Sequence, residues 1–106
     1  QYAACILAHA SRVQGDVSQF FKYAMKVVLT EECSEICMEL GEHYETIGDL
    51  EEAHIWYYNA AYETQPVCNI RMGKEIPIRK LAEVADKAGL PDVANEYRKQ
   101  LDGKSI

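Results

Sequence analysis

Leu40-Gly41-Glu42-His43-Tyr44-Glu45-Thr46-Ile47-Gly48-Asp49-Leu50-Glu51-Glu52-Ala53-His54-Ile55-Trp56-Tyr57-Tyr58-Asn59-Ala60-Ala61 is the stretch on which the fold turns. Upstream of Gly48, residues Ile36, Cys37, Leu40, Tyr44 and Ile47 recur at three- and four-residue steps, one stripe of an amphipathic helix. Downstream, Ala53, Trp56, Tyr57, Ala60 and Ala61 form a second stripe. Gly48-Asp49 separates them as a turn, and Asp49 with Glu52 three residues later has the form of a helix-starting capping box. Glu51 and Glu52 suit the positive end of that helix. Two helices joined by so short a turn must lie antiparallel. Gly41 and Ala53 are small enough to let them cross closely, with Tyr44 and Tyr57 filling the space beside them.

The same punctuation occurs elsewhere. Gly15-Asp16 precedes Gly48 by 33 residues, and Gly89-Leu90-Pro91 follows it by 41. Around the first turn, Ile6, Leu7, Ala10 and Val13 form one stripe and Phe20, Phe21, Ala24, Val27 and Val28 another. Ala8 takes the place of Gly41, but Phe20 stands where a small residue is expected. Around the third turn, Leu81, Ala82, Ala85, Ala94 and Leu101 repeat the spacing, with polar Arg98 at the aromatic position and Gly103 beyond the helix end. Pro66, Gly73 and Pro77 explain the longer second interval: a helix ends within Ala61–Thr64 and a loop of about ten residues follows. The expectation is an all-α chain of six helices in three antiparallel pairs, spanning about 1–30, 33–64 and 75–102, stacked as a short right-handed solenoid.

Leu40-Gly41, Tyr44, Ala53, Tyr57, Ala60 and Pro66 resemble the tetratricopeptide pattern of Leu-Gly, Tyr, Ala, an aromatic and a terminal Pro. Cys37 replaces the usual Trp, and the Pro comes about one residue late. A narrower resemblance covers roughly residues 34–101. Gly48 to Thr64, with its Trp56-Tyr57-Tyr58-Asn59-Ala60-Ala61 run, then Ile76-Pro77 and Leu81-Ala82-Glu83, is similar to the helical-repeat tails that follow family-2 glycosyltransferase domains in many Firmicutes. That resemblance implies a non-catalytic protein–protein interaction module, the accessory end of a larger bacterial enzyme. The alternative it leaves is a segment contributing directly to the acceptor site. No Asp-x-Asp nucleotide-sugar motif occurs in the chain. The chain begins at Gln1, so a fragment of a larger protein is expected.

Its 106 residues make one domain, 48% apolar and 26% charged, as in ordinary globular proteins. A net charge of -6 repels phosphate backbones and anionic lipid surfaces, which argues against nucleic-acid and membrane-surface partners. No apolar run approaches a membrane span, and no basic-then-apolar leader is visible. Cys5, Cys33, Cys37 and Cys68 sit in apolar or helical contexts, so reduced thiols and a cytoplasmic location are expected.

Cys33 and Cys37, a turn apart, could form a metal site with His9 or His43, but Cys37 at a core aromatic position reads better as packing, and no cofactor is expected. His9, His43 and His54 lie on separate helices, and Met72-Gly73-Lys74 lacks the rest of a phosphate loop. Catalysis by this segment is not expected. Glu31, Glu32, Glu35, Glu39, Glu42 and Glu45 line one helix, either as a solvated face or as part of a groove. The tetratricopeptide resemblance implies that the first helix of each pair lines a concave groove. Its positions here are Tyr2, Cys5, His9 and Arg12; Glu35, Met38, Glu42 and Glu45; and Ile76, Arg79, Glu83 and Asp86. Acidic at its centre, such a groove would take a basic or mixed-charge peptide or a neighbouring domain. Tyr58 and Tyr62 are expected on the outer side or beneath the Pro66–Gly73 loop, with sugar stacking as a further role. The N-terminal pair has no evident polar cap and is expected to dock on a missing domain or on a second copy as a homodimer.

Overall fold

The computed structural model describes residues 3–30, 33–64 and 74–103. Six α-helices follow one another: α1 (Ala3–Val13), α2 (Val17–Thr30), α3 (Ser34–Thr46), α4 (Leu50–Tyr58), α5 (Glu75–Lys87) and α6 (Pro91–Gly103). A single π-helical turn, Asn59–Glu63, continues α4. No strand occurs among the described residues, and none of the helices is long and apolar enough to cross a membrane.

Each first helix ends in the same way. Gly15, Gly48 and Gly89 adopt φ of +81°, +86° and +77°, the left-handed region where a Cβ is costly. In each turn the next amide reaches back five residues, Asp16 to Ser11, Asp49 to Tyr44 and Leu90 to Ala85, at 2.9, 2.9 and 2.8 Å. The following helices start with a carboxylate or a proline. Asp16 Oδ1 accepts from the Gln19 amide at 3.1 Å, and Asp49 Oδ1 from the Glu52 amide at 3.2 Å. Pro91 opens α6, where its missing N–H leaves nothing unpaired. The helix expected to end within 61–64 does so, with Thr64 already extended at φ -135°. Most of the expected loop, Cys68 included, lies outside the described residues.

Consecutive helices pack as antiparallel pairs, α1 with α2, α3 with α4 and α5 with α6, and α4 also packs on α5. One core, of Ala4, Cys5, Ala8, Phe20, Ala24, Val27, Cys33, Ile36 and Leu40, joins the first pair to α3. A second joins the middle pair to the third through Cys37, Met38, Ala53, Tyr57, Ala60, Ala61, Ile78, Leu81 and Val84. Trp56 borders both. Gly41 lies against Tyr57 as the small-against-large pattern requires: a Cβ on Gly41 would come within 2.5 Å of the ring.

The first pair departs from the sequence reading. Its stripe of Ile6, Leu7, Ala10 and Val13 does not pack on α2. Ile6, Leu7 and Val13 are 69%, 44% and 73% exposed, while Ala4, Cys5 and Ala8 turn inward. Small residues on α1 permit close approach, and Phe20 on α2, 1% exposed, supplies the bulk without the crowding its position suggested. Ala24 and Ala8, both fully buried, occupy the places that Tyr57 and Gly41 hold in the second pair.

Candidate functional site

Charged side chains along α1, α3 and α5 link the three pairs. From α1, His9 Nδ1 lies 3.0 Å from Glu39 Oε2, and Arg12 Nη1 donates to Glu42 Oε1 at 3.0 Å and to Glu39 Oε1 at 3.4 Å. From α3, Glu45 is the hub of the next link. Its Oε1 accepts from the Tyr57 hydroxyl at 2.7 Å and lies 3.2 Å from Lys80 Nζ, and its Oε2 pairs with Lys87. The Lys80 ammonium also sits 5.7 Å from the Tyr57 ring centroid. On α5 and α6, Lys80 meets Glu83 at 3.6 Å, Arg79 meets Glu75 at 3.0 Å, and Asp86 pairs with Arg98.

The electrostatics follow from these contacts. Burial alone would raise the Glu45 carboxyl, but hydrogen bonds from Lys87, Tyr57 and Lys80 outweigh it and hold the group below its ordinary value. Burial likewise opposes charge on Lys80, and its bond to Glu45 reverses the balance and raises it. The Tyr57 phenol is pushed far up, by burial first and by Glu45 second, so it stays a donor. Burial pushes Cys37 up to about 11 and raises Cys33, so both thiols are protonated and weakly nucleophilic near neutrality.

The residues expected to line a groove therefore divide. His9, Arg12, Glu42, Arg79, Glu83 and Asp86 keep substantial exposure, the Glu42, Glu83 and Asp86 side chains at 41%, 51% and 45%. Glu35 is half-buried, with the Cys33 thiol 3.8 Å from its carboxylate. Met38 is a correction: at 2% exposure it belongs to the second core, because α4 and α5 close over that side of α3. Cys5 is buried too, and Ile76 packs against the second core. Glu45 is enclosed, its side chain 9% exposed, and cannot present a free carboxylate. Tyr2 lies outside the described residues. Glu39, one of the row of acids read as either a solvated face or part of a groove, is also nearly buried. Lys80 and Lys87 were not singled out at all, although their seven-residue spacing puts both on one helix face.

Two other features lie beside the second helices. A cavity of about 390 Å³ is lined by Val27, Val28, Cys33, Cys37, Trp56, Asn59, Glu63 and Thr64. The buried indole N–H of Trp56 has no hydrogen-bond partner among the described residues. Across α4, the π-helical turn and α6 runs an aromatic strip. Tyr58 lies 4.7 Å from Tyr62 and 6.3 Å from the His54 ring, and His54 Nε2 is 3.0 Å from the Tyr97 hydroxyl. Tyr62 donates to Gln100 and carries Lys74 over its face at 4.8 Å. Cys33 and Cys37 point into different cores, and His43 stands edge-on to Phe21 at 4.9 Å. Among the described residues no three His, Cys, Asp or Glu side chains gather as a metal site.

Compared with family models, curated proteins and solved structures, the chain returns no match.

Proposed function

We propose that this chain is a non-catalytic protein–protein interaction module, a tetratricopeptide-like right-handed stack whose first helices offer a charged face to a peptide or a neighbouring domain. One observation carries this reading. Ion pairs cross from α1 to α3 and from α3 to α5, so the helices are held at fixed spacing while Glu42, Glu83 and Asp86 remain about half exposed. A surface whose charges are already positioned loses little freedom on binding a basic segment. The protonated thiols and ion-paired carboxylates support binding over chemistry. The run from Gly48 to Thr64 supports placing the module in the accessory tail of a bacterial glycosyltransferase, and the apolar setting of the cysteines supports a cytoplasmic location.

A second reading, direct contribution to a glycosyltransferase acceptor site, draws on the strip of His54, Tyr58, Tyr62 and Tyr97, whose rings and polar tips suit a sugar face. Substitution separates the two. Glu42→Gln with Glu83→Gln should weaken capture of an Arg/Lys-rich peptide by roughly tenfold, and capture by the unaltered chain should fall as salt rises. Fluorescence anisotropy reads both. Peptide capture unchanged by the double substitution would sink the first reading. Loss of parent-enzyme turnover on Tyr58→Ala, with peptide capture intact, would establish the second.

A further inference from the structure

The cavity of about 390 Å³ is walled from the middle of the chain, by α2, α3, α4 and the π-helical turn, and its lining is divided by polarity. Val27, Cys33 and Cys37 are buried, and the two thiols, protonated, serve there as small apolar groups. The indole N–H of Trp56 is buried as well, so what that side chain shows the cavity is apolar ring. Val28 is 42% exposed and Glu63 is exposed, so the space opens to solvent on their side. The polar lining comes from Asn59, Glu63 and Thr64.

That polar edge is built on irregular backbone. Asn59 and Glu63 are the first and last residues of the π-helical turn, and Thr64 follows it. Such turns are rare and frequently lie at functional sites. Here the turn is held by three side chains: Thr64 Oγ1 donates to the Asn59 carbonyl at 3.0 Å, Ser34 Oγ to that of Ala60 at 3.1 Å and Lys74 Nζ to that of Ala61 at 3.2 Å. The Thr64 hydroxyl is thereby engaged, and the Lys74 ammonium is spent on Ala61 and the Tyr62 ring. The Glu63 carboxylate and the Asn59 side-chain amide are different. Among the described residues neither makes a hydrogen bond or an ion pair.

Charge and size select the occupant. Two unengaged acceptors, a carboxylate and an amide oxygen, edge a space whose other walls are apolar. An ammonium group satisfies both while its apolar body covers the remaining wall. An anion would oppose Glu63 and the net charge of -6, and an uncharged apolar molecule would leave both acceptors without a partner. The volume lies at the small end of ligand cavities, too little for a folded segment. We propose that this cavity binds a small primary amine, its ammonium on Glu63 and Asn59 and its aryl or alkyl body against Val27, Cys37 and Trp56. The charged face proposed above is not needed for this site.

Trp56, the single tryptophan, lines the cavity and reports occupancy by its fluorescence. Titration with 3-phenylpropylamine should change its emission saturably, with a dissociation constant of roughly 10 μM to 1 mM, as suits so small a ligand. The matched alcohol, 3-phenylpropanol, should bind at least ~10-fold more weakly and 3-phenylpropionate more weakly still. Glu63→Gln should weaken the amine by about 10-fold and leave the alcohol unchanged. Val28→Phe, which narrows the opening from an exposed site, should weaken amine and alcohol alike without lowering the melting temperature. Glu42→Gln with Glu83→Gln should leave amine binding as it is, which keeps this site distinct from the charged face. An emission that never saturates, equal affinity for amine and alcohol, or amine binding indifferent to both Glu63→Gln and Val28→Phe would overturn the proposal. So would tighter binding of Nα-acetyl-lysine amide, which would assign the site to a peptide side chain.

Discussion

Glu45 shows how much a single side chain's role depends on neighbours far along the chain. In sequence it is one of six glutamates on or beside a helix, indistinguishable from Glu42. In the fold it accepts from Tyr57, 12 residues away, and pairs with Lys87, 42 residues away. Its carboxyl is held below the ordinary 4.5, and a group so depressed stabilises the fold above its unfolded value. That stability is lost as the pH falls from about 4.5 through the folded value. Glu45→Gln should therefore lower stability at neutral pH by about 1–3 kcal/mol and flatten the acid limb, since the neutral amide has no proton to gain. Urea midpoints between pH 7 and pH 3 measure this. A variant whose acid limb is as steep as the parent's would exclude Glu45 as its origin.

Between elements, the crossing of α3 and α4 depends on one missing methyl group. A Cβ at Gly41 would stand 2.5, 2.6 and 2.9 Å from three atoms of the Tyr57 ring. That ring is fully buried, and its hydroxyl is tied to Glu45, so it cannot swing aside. Gly41→Ala gains up to ~1 kcal/mol in helix propensity but incurs overpacking of about 1–3 kcal/mol. The net expectation is a lower urea midpoint with unchanged helical content by circular dichroism; a higher midpoint would mean that the helices separate freely. This contact was readable in advance, because Gly41 and Tyr57 lie symmetrically about the Gly48-Asp49 turn. The α1 stripe was not. Ile6, Leu7, Ala10 and Val13 have helical periodicity, but periodicity says only that a face is apolar, not that a neighbour covers it. Ala4, Cys5 and Ala8 won the inward face because smaller side chains let α1 and α2 approach more closely.

Across the whole molecule, the pairs are coupled through shared cores and the ion pairs that bridge them. Trp56, the single tryptophan, borders both main cores. If the two cores melt together, Trp56 fluorescence and far-UV circular dichroism will follow one transition with a common midpoint. Separate midpoints would show pairs unfolding one at a time, as a linear array with weak interfaces does. We expect coincidence, because α4 packs on α5 and contributes to the second core while Leu40 and Ile36 anchor α3 in the first.

Helix number, the three turns and the small-against-large crossing at Gly41 are dictated locally, by glycine's access to positive φ, by carboxylates that accept from helix-start amides, and by apolar residues at helical steps. Such signals act over a few residues and survive in a linear string. The fate of the charges is different. Glu39 and Glu45 become enclosed clamps, Glu42 and Glu83 stay half exposed, and Met38 sinks into the core, although all five lie on helices of similar polarity. Those outcomes were set by packing between residues 12 to 42 positions apart, where burial changes what a carboxylate or a thioether is worth.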